Sequence, residues 1–350
     1  MGMTKKKYTP RNDNRKDISQ MKTYKNLYSQ VCDFQNLLKS YYQARRCKSK
    51  KGYIIDFEWN LEKNLFDIQK KLKDHNYQFG QYQSFYVSDP KKRLIFAAPF
   101  QDRIVHHAIC NVIEPIFDRG FIFDSYACRR NKGTHKAVFR LKKFMRSFGD
   151  NKFYLLKADI KKYFLNIDRD ILFQLIKKKI SDQDTLWLIR AVIDSLDGKK
   201  GIPIGNLTSQ LFANIYLNEL DQFVKHHLKV KYYCRYVDDF VLLHQGRSQL
   251  KKWRAEIKEF LENKLQLEIH PQKQEIFPAK IGIDFLGYHI FTHHILVRQS
   301  TVRRFFCRLK SCQMPFQSIY SYLGHFKFAD SFGLMKKVNR IYAERYTNFS

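Results

Sequence analysis

An α+β fold, built on a split βαβ antiparallel sheet with helices on one face, is the architecture this sequence predicts. Three observations carry that expectation. From residue 153 onward the pattern runs strand, helix, helix, hairpin, helix, strand, which suits such a sheet better than a doubly wound parallel one. The apolar residues of the intervening helices fall on single faces. The hydrophobic fraction, 44%, is enough to fill real cores and excludes wholesale disorder. A chain of 350 residues allows two or three packed units on a soft prior of about 150 residues each.

Residues 1–22 (MGMTKKKYTPRNDNRKDISQMK) are polar and basic, and read as a flexible arm. Helical periodicity begins at Tyr24 and continues through Leu37, Leu38 and Tyr41; it resumes from Trp59 to Leu72 as a second amphipathic helix. SFYVSDPKKRLIFAAPF (84–100) reads as two short strands turning at Asp89-Pro90, with Lys91, Lys92 and Arg93 beside the turn. Residues 101–118 return to a helical pattern. FYLLKADIKKYFLNID (153–168) is a buried strand ending in Asp159, after which Asp168 or Asp170 caps a helix with Ile171, Leu172, Leu175 and Ile176 on one face. From 201 to 228 a Gly-Pro-Gly loop leads into a long helix striped by Leu211, Phe212, Ile215, Tyr216, Leu220, Phe223 and Val224, with Thr208 or Ser209 as its cap. YYCRYVDDFVLLH (232–244) gives two short β-rich runs around a tight turn at Val237-Asp238-Asp239. Ser248 then precedes a helix through Trp253, Ile257, Phe260 and Leu261. No internal repeat or low-complexity linker interrupts this order.

Charge gives the first functional clue. The chain has 64 Lys+Arg against 33 Asp+Glu, a net +31, and such a field attracts polyanions, nucleic acid foremost. An acidic membrane surface is the rival partner. Against it, there is no apolar run of ~18 residues and no secretory h-region, and Lys6 stands where a myristoylation site needs Ser or Thr. A soluble cytoplasmic protein with no membrane partner is expected. Cys32, Cys47, Cys110, Cys128, Cys234, Cys307 and Cys312 are odd in number and form no Cys-x-x-Cys pair, which reads as ordinary buried thiols in a reduced compartment rather than a zinc site. Aromatics reach 15%; most belong to cores, but Tyr and Phe within a basic surface also suit stacking on bases.

Two adjacent carboxylates, Asp238 and Asp239, flanked by β-branched and aromatic residues, are costly in a core strand unless cations neutralise them. Mg²⁺ takes hard oxygen ligands from a few carboxylates and from substrate phosphates. Asp159, at the end of another apolar strand, supplies a third. If strand end and hairpin tip lie side by side, two metals about 3.5–4 Å apart can activate a 3′-hydroxyl and stabilise leaving pyrophosphate. Taken singly, Asp-Asp is an ordinary turn and Asp159 an ordinary cap; together with the Gly-Pro-Gly loop they point to catalysis.

LLKADIKKYF, GIPIGNLTSQ, RYVDD, HPQK and DFLGY, in that order, resemble the successive palm motifs of reverse transcriptases, across residues 24–345. The resemblance implies a right-hand polymerase: fingers over 23–150, with 170–200 returning to their junction, a palm over 151–290 and a short helical thumb over 291–350. It implies Asp159, Asp238 and Asp239 as ligands of two Mg²⁺ ions (Mn²⁺ as substitute), with the Ile160 carbonyl as an extra ligand. Phe164 becomes the steric gate against a ribose 2′-hydroxyl, so dNTPs are the substrates. Lys92 and Arg93 resemble residues that clamp the triphosphate, which a guanidinium fork suits. Gly205 and Gln210 would lie against the nascent base pair. Lys273 resembles the lysine that protonates pyrophosphate, and Phe285, Leu286, Gly287 and Tyr288 the primer grip.

Within the family, Ile204 before Gly205 and Gln210 after Ser209 depart from the Gln-Gly and Ser-Pro of many bacterial members. With YACRRNKGTHKAV (126–138) they resemble the reverse transcriptases of diversity-generating retroelements. That implies a template-repeat RNA copied into cDNA with errors at adenines, and a small basic accessory variability protein as partner. The stretch after Tyr288 is a thumb's worth of chain, basic at Arg298, Arg303, Arg304, Arg308 and Lys310, so nuclease steps are expected from other proteins. A retron-type or defence-associated reverse transcriptase is the nearest alternative. A non-catalytic RNA-binding scaffold predicts loss of the aspartates, all of which are present, and a nucleotide cyclase needs neither +31 nor a thumb.

Overall fold

The computed structural model describes residues 23–88, 92–198, 200–310 and 314–346. The basic arm (1–22), the Asp89-Pro90 turn with Lys91, and Cys312 lie outside the described residues. Helices α1 (Tyr28–Val31), α2 (Phe34–Arg45), α3 (Gly52–Trp59) and α4 (Leu61–Lys73) come first. A ribbon of β1 (Gln83–Val87) and β2 (Arg93–Ala97) follows, then α5 (Phe100–Asp118) and α6 (Thr134–Arg146). Next come β3 (Tyr154–Ile160), α7 (Tyr163–Asn166), α8 (Arg169–Lys177), α9 (Gln183–Asp194), α10 (Leu207–Gln222), β4 (Tyr232–Tyr236), β5 (Asp239–His244), α11 (Arg247–Leu265) and β6 (Ile269–Pro278). Three short strands, β7 (Ile283–Phe285), β8 (Tyr288–Ile290) and β9 (Ile295–Val297), precede α12 (Gln299–Lys310), α13 (Phe316–Phe326) and α14 (Phe332–Tyr346).

The central sheet has the order β4-β5-β3-β6, antiparallel throughout. The fold is therefore α+β with an antiparallel sheet, as the element order predicts. Because side chains alternate along a strand, β3 splits into two sets. Leu156, Ala158 and Ile160 enter the main core with residues of α5, α8, α9, α10 and α11. On the opposite face Leu155 joins a second core with Val241, Leu243 and the α6 residues Val138, Leu141 and Met145. Further along that face, Lys157 and Asp159 emerge half-buried. The second core thus covers only the start of β3 and leaves its end open. A third core, with Phe305, Leu309, Ile319, Phe326 and Val338, joins α12, α13 and α14.

Several local expectations shift. Tyr24 forms a bridge to Ile180, and the first helix begins only at Tyr28. Trp59 ends α3 rather than opening the next helix, since Asn60 breaks the helical backbone between them. Thr208 and Ser209 do not cap α10: both are buried in its first turn, where Thr208 Oγ1 meets His106 Nδ1 at 3.0 Å. Asn206 holds the cap position while its amide donates to Tyr82 Oη at 2.9 Å. The regular helix ends at Gln222 and Phe223–His227 widens into a π turn. Asp168, not Asp170, caps α8, accepting from the amides of Asp170 and Ile171. Ser248 lies inside α11, whose cap is Gly246, and Asp239 is already the first residue of β5. Among the cysteines, Cys47, Cys128 and Cys307 are exposed rather than buried. Among the described residues no helix is long and apolar enough to cross a membrane.

Candidate active site

Register brings the acidic residues together. β3 and β5 pair so that Asp159 stands directly opposite Asp239, and the β4–β5 connection places Asp238 beside them. The connection is strained: Val237 has φ +55°, a left-handed conformation that a β-branched residue rarely adopts and that costs on the order of 1–3 kcal/mol. A buried network holds it. Arg235 donates from Nη1 to the Val237 carbonyl at 2.9 Å, and grips both carboxylate oxygens of Asp221 at 2.7 and 2.6 Å. Tyr233 Oη donates to the same Asp221 Oδ1 at 2.8 Å. Arg235 and Asp221 are buried, so this pair fixes the turn from beneath.

Burial, then the neighbouring charges of Asp159 and Asp239, push the Asp238 carboxyl up to about 6. Asp239 is also raised, by burial first, with Asp159 adding and the cations Lys157, Lys273 and Arg298 opposing. Lys273 Nζ lies 2.9 Å from Asp159 Oδ2. Lys157 Nζ donates to the Asp284 carbonyl at 2.6 Å. Arg298 Nε is enclosed without a hydrogen bond, 3.7 Å from Asp284 Oδ2. Among the described residues no three His, Cys, Asp or Glu side chains are already closed around one metal-holding point; Asp159 is turned instead onto Lys273. The donor set nonetheless fits hard divalent cations: three carboxylates on one strand pair, with Asp238 and Asp239 partly desolvated and repelling their neighbours.

The loop after α9 stitches a second group of residues to this centre. Ile202 N donates to the Phe164 carbonyl at 2.9 Å, and Phe96 N on β2 donates to the Ile204 carbonyl at 2.8 Å. Phe164 is half-buried and packs against the main core beside Tyr163. Gly205 has φ +128°, and a Cβ there would meet the Phe96 carbonyl oxygen at 2.8 Å. Gly205→Ala should therefore pry the β1–β2 ribbon from the loop, lowering stability by about 1–3 kcal/mol in a thermal melt. Gln210 is half-buried one turn into α10, and Ile160 is fully buried at the end of β3. Lys92 and Arg93 are exposed on the ribbon, with Lys92 Nζ 4.3 Å above the Tyr86 ring.

Residues 285–288 form the β7–β8 turn. Phe285 and Tyr288 are buried, and Tyr288 Oη donates to the His325 carbonyl at 2.8 Å. What the turn presents is backbone at Leu286 (φ +51°) and Gly287 (φ +89°), where a Cβ at Gly287 would touch His325. The Gly287 carbonyl also accepts from Arg298 N at 2.9 Å. Asp221, Arg235, Lys157 and Arg298 were not singled out by sequence reasoning as site residues. The signal in Asp221 is a carboxylate inside the apolar stripe of a long helix; its partner in β4 is a tertiary fact.

Residues 87–290 match the family model described as reverse transcriptase (RNA-dependent DNA polymerase). The chain is 26% identical over 266 residues to protein YkfC of Escherichia coli, covering 64% of this chain and 70% of that protein. It is 26% identical over 345 residues to the group II intron-encoded protein LtrA of Lactococcus lactis, covering 77% of this chain and 55% of that protein. Among solved structures, apo telomerase from Candida tropicalis is similar with a TM-score of 0.49 and 12% identity, over 64% of this chain and 49% of that one.

Proposed function

Since the chain belongs to the reverse transcriptase family, whose model matches more than half of it, we propose that it is an RNA-directed DNA polymerase that extends a primer with dNTPs at Asp159, Asp238 and Asp239. The observation that carries this reading is the register of Asp159 opposite Asp239, with Asp238 at the adjoining turn. Two Mg²⁺ ions held by these carboxylates and the Ile160 carbonyl would supply Lewis acidity to the 3′-hydroxyl and the triphosphate. The remaining roles belong to the chain's own residues. Lys92 and Arg93 grip the triphosphate. Phe164 closes the space beneath the sugar 2′ position, and the Gly205 backbone lies against the new base pair. Lys273, poised on Asp159, passes a proton to the departing pyrophosphate. The backbone of Leu286 and Gly287 holds the primer end. In this reading residues 23–150 act as fingers, 151–290 as palm and 291–350 as thumb.

Within the family the proposal is the diversity-generating type, resting on Ser209-Gln210 and the 126–138 segment. Its substrate is a template-repeat RNA copied with errors at adenines, and its partner a small basic accessory protein. Primer extension on an RNA template is the test. Incorporation of dNTPs but not NTPs is expected, abolished by a chelator; synthesis that survives metal removal overturns the mechanism. Sequencing the products of the Gln210→Pro variant should show fewer errors at template adenines, and an unchanged spectrum removes that residue from fidelity.

A further inference from the structure

Elements that carry none of the residues assigned above combine dense charge with bare rings. RRCKSKK (45–51) places five cations in seven residues at the end of α2 and the start of α3. Arg45 is engaged by Glu58, whereas Arg46, Lys48, Lys50 and Lys51 are exposed. On the two helices this stretch joins, Trp59 is 85% exposed, Tyr42 60%, Ile55 50% and Tyr53 44%. Ile55 and Trp59, four residues apart, share one face of α3. Their exposure is not fraying, because Ile54 and Phe57 of the same helix are buried in the main core. Tyr53 is held as well. Arg103 lies over its ring at 5.5 Å and donates to its hydroxyl at 3.3 Å, while Arg103 Nε donates to the Ala98 carbonyl at 2.7 Å. The corner is thereby anchored to the foot of the β1–β2 ribbon.

Charge selects the occupant. A second copy of a chain at +31 would be repelled, and so would residues 1–22, whose seven Lys and Arg outnumber two Asp. A partner that offers regular negative charge and flat apolar faces together is single-stranded nucleic acid, which binds basic grooves lined by stacking rings. We propose that this corner docks single-stranded RNA, with phosphates on Arg46, Lys48, Lys50 and Lys51 and a base stacked on Trp59. The choice of RNA over DNA rests on the polymerase reading above; the site itself does not. Held here, the RNA stays on the protein while its other end is read.

The test is fluorescence anisotropy of a labelled, unprimed single-stranded RNA on the full chain, in chelator, across a salt series. The variant Lys48→Gln/Lys50→Gln/Lys51→Gln should bind at least about tenfold more weakly, with a log–log salt slope smaller by about 2. Trp59→Ala should lose roughly 5- to 100-fold in affinity, and RNA should quench wild-type tryptophan fluorescence more than that of Trp59→Phe. Both sets of variants should keep the wild-type melting temperature and the wild-type rate of primer extension at saturating primer-template. Unchanged RNA affinity and slope, or a loss confined to single-stranded DNA or anionic vesicles, overturns the proposal. If the wild type extends no primer while the variants still lose RNA, the docking site stands and the polymerase reading falls.

Discussion

Replacing Asp238 and Asp239 together by asparagine should lower dNTP incorporation by at least about 10³-fold, the loss of several kcal/mol of transition-state stabilisation that metals held there would supply. RNA affinity measured by anisotropy should stay within about twofold, because no Lys or Arg is altered. The same variant should be as stable as the wild type, or more so, in metal-free buffer. Burial and two neighbouring carboxylates raise Asp238 to about 6, above the ordinary value near 3.9. The folded state therefore holds that proton more tightly than the unfolded chain. The favourable contribution is complete below about pH 4 and disappears as pH climbs through about 6, a loss of roughly 1–3 kcal/mol. Thermal melts in chelator should show the wild type weakening over that interval more than the asparagine variant. Equal pH dependence in the two proteins would show that Asp238 is not the group responsible.

Arg235→Met should unfold the protein more readily by about 3–5 kcal/mol, since it strands Asp221 as an uncompensated buried charge. Urea titration measures this directly. The informative comparison is Arg235→Met with Asp221→Leu, where the pair is exchanged for apolar groups and much of the stability should return. Activity should not return with it. Arg235 Nη1 is the donor to the Val237 carbonyl, and without it the left-handed turn carrying Asp238 loses that buried hydrogen bond. A double variant that is both stable and fully active would separate the buried pair from catalysis.

What could be read in the sequence followed from periodicity and from rules of local chemistry. The strand carrying Asp159, which runs one residue further to Ile160, the hairpin around Asp238, the ribbon at 83–97 and the order of the central elements all leave marks within a few residues. The failures have tertiary causes. Thr208 looks like a cap because hydroxyls favour that place, but its hydroxyl is taken by His106, 102 positions away. The α6 helix has no start signal in the sequence, following as it does a loop of Arg, Asn, Lys and Gly (129–133), although it builds much of the second core. The proximity of the three aspartates was an inference from chemistry, and its geometry depends on a pairing between distant strands. The Lys273–Asp159 contact likewise joins residues 114 positions apart and has no local signature.

The ladder between β3 and β5 has a practical corollary for anyone altering the gene. Asp159 and Asp239 face each other because two strands keep step, not because of the length of chain that runs from one to the other. Deleting a single codon within β3 would reverse which side of the sheet every later residue of that strand occupies, sending Asp159 toward the apolar layer. Lengthening the exposed bend at Asp197–Gly198 leaves that step intact, whereas a frame-preserving deletion next to Lys157 does not.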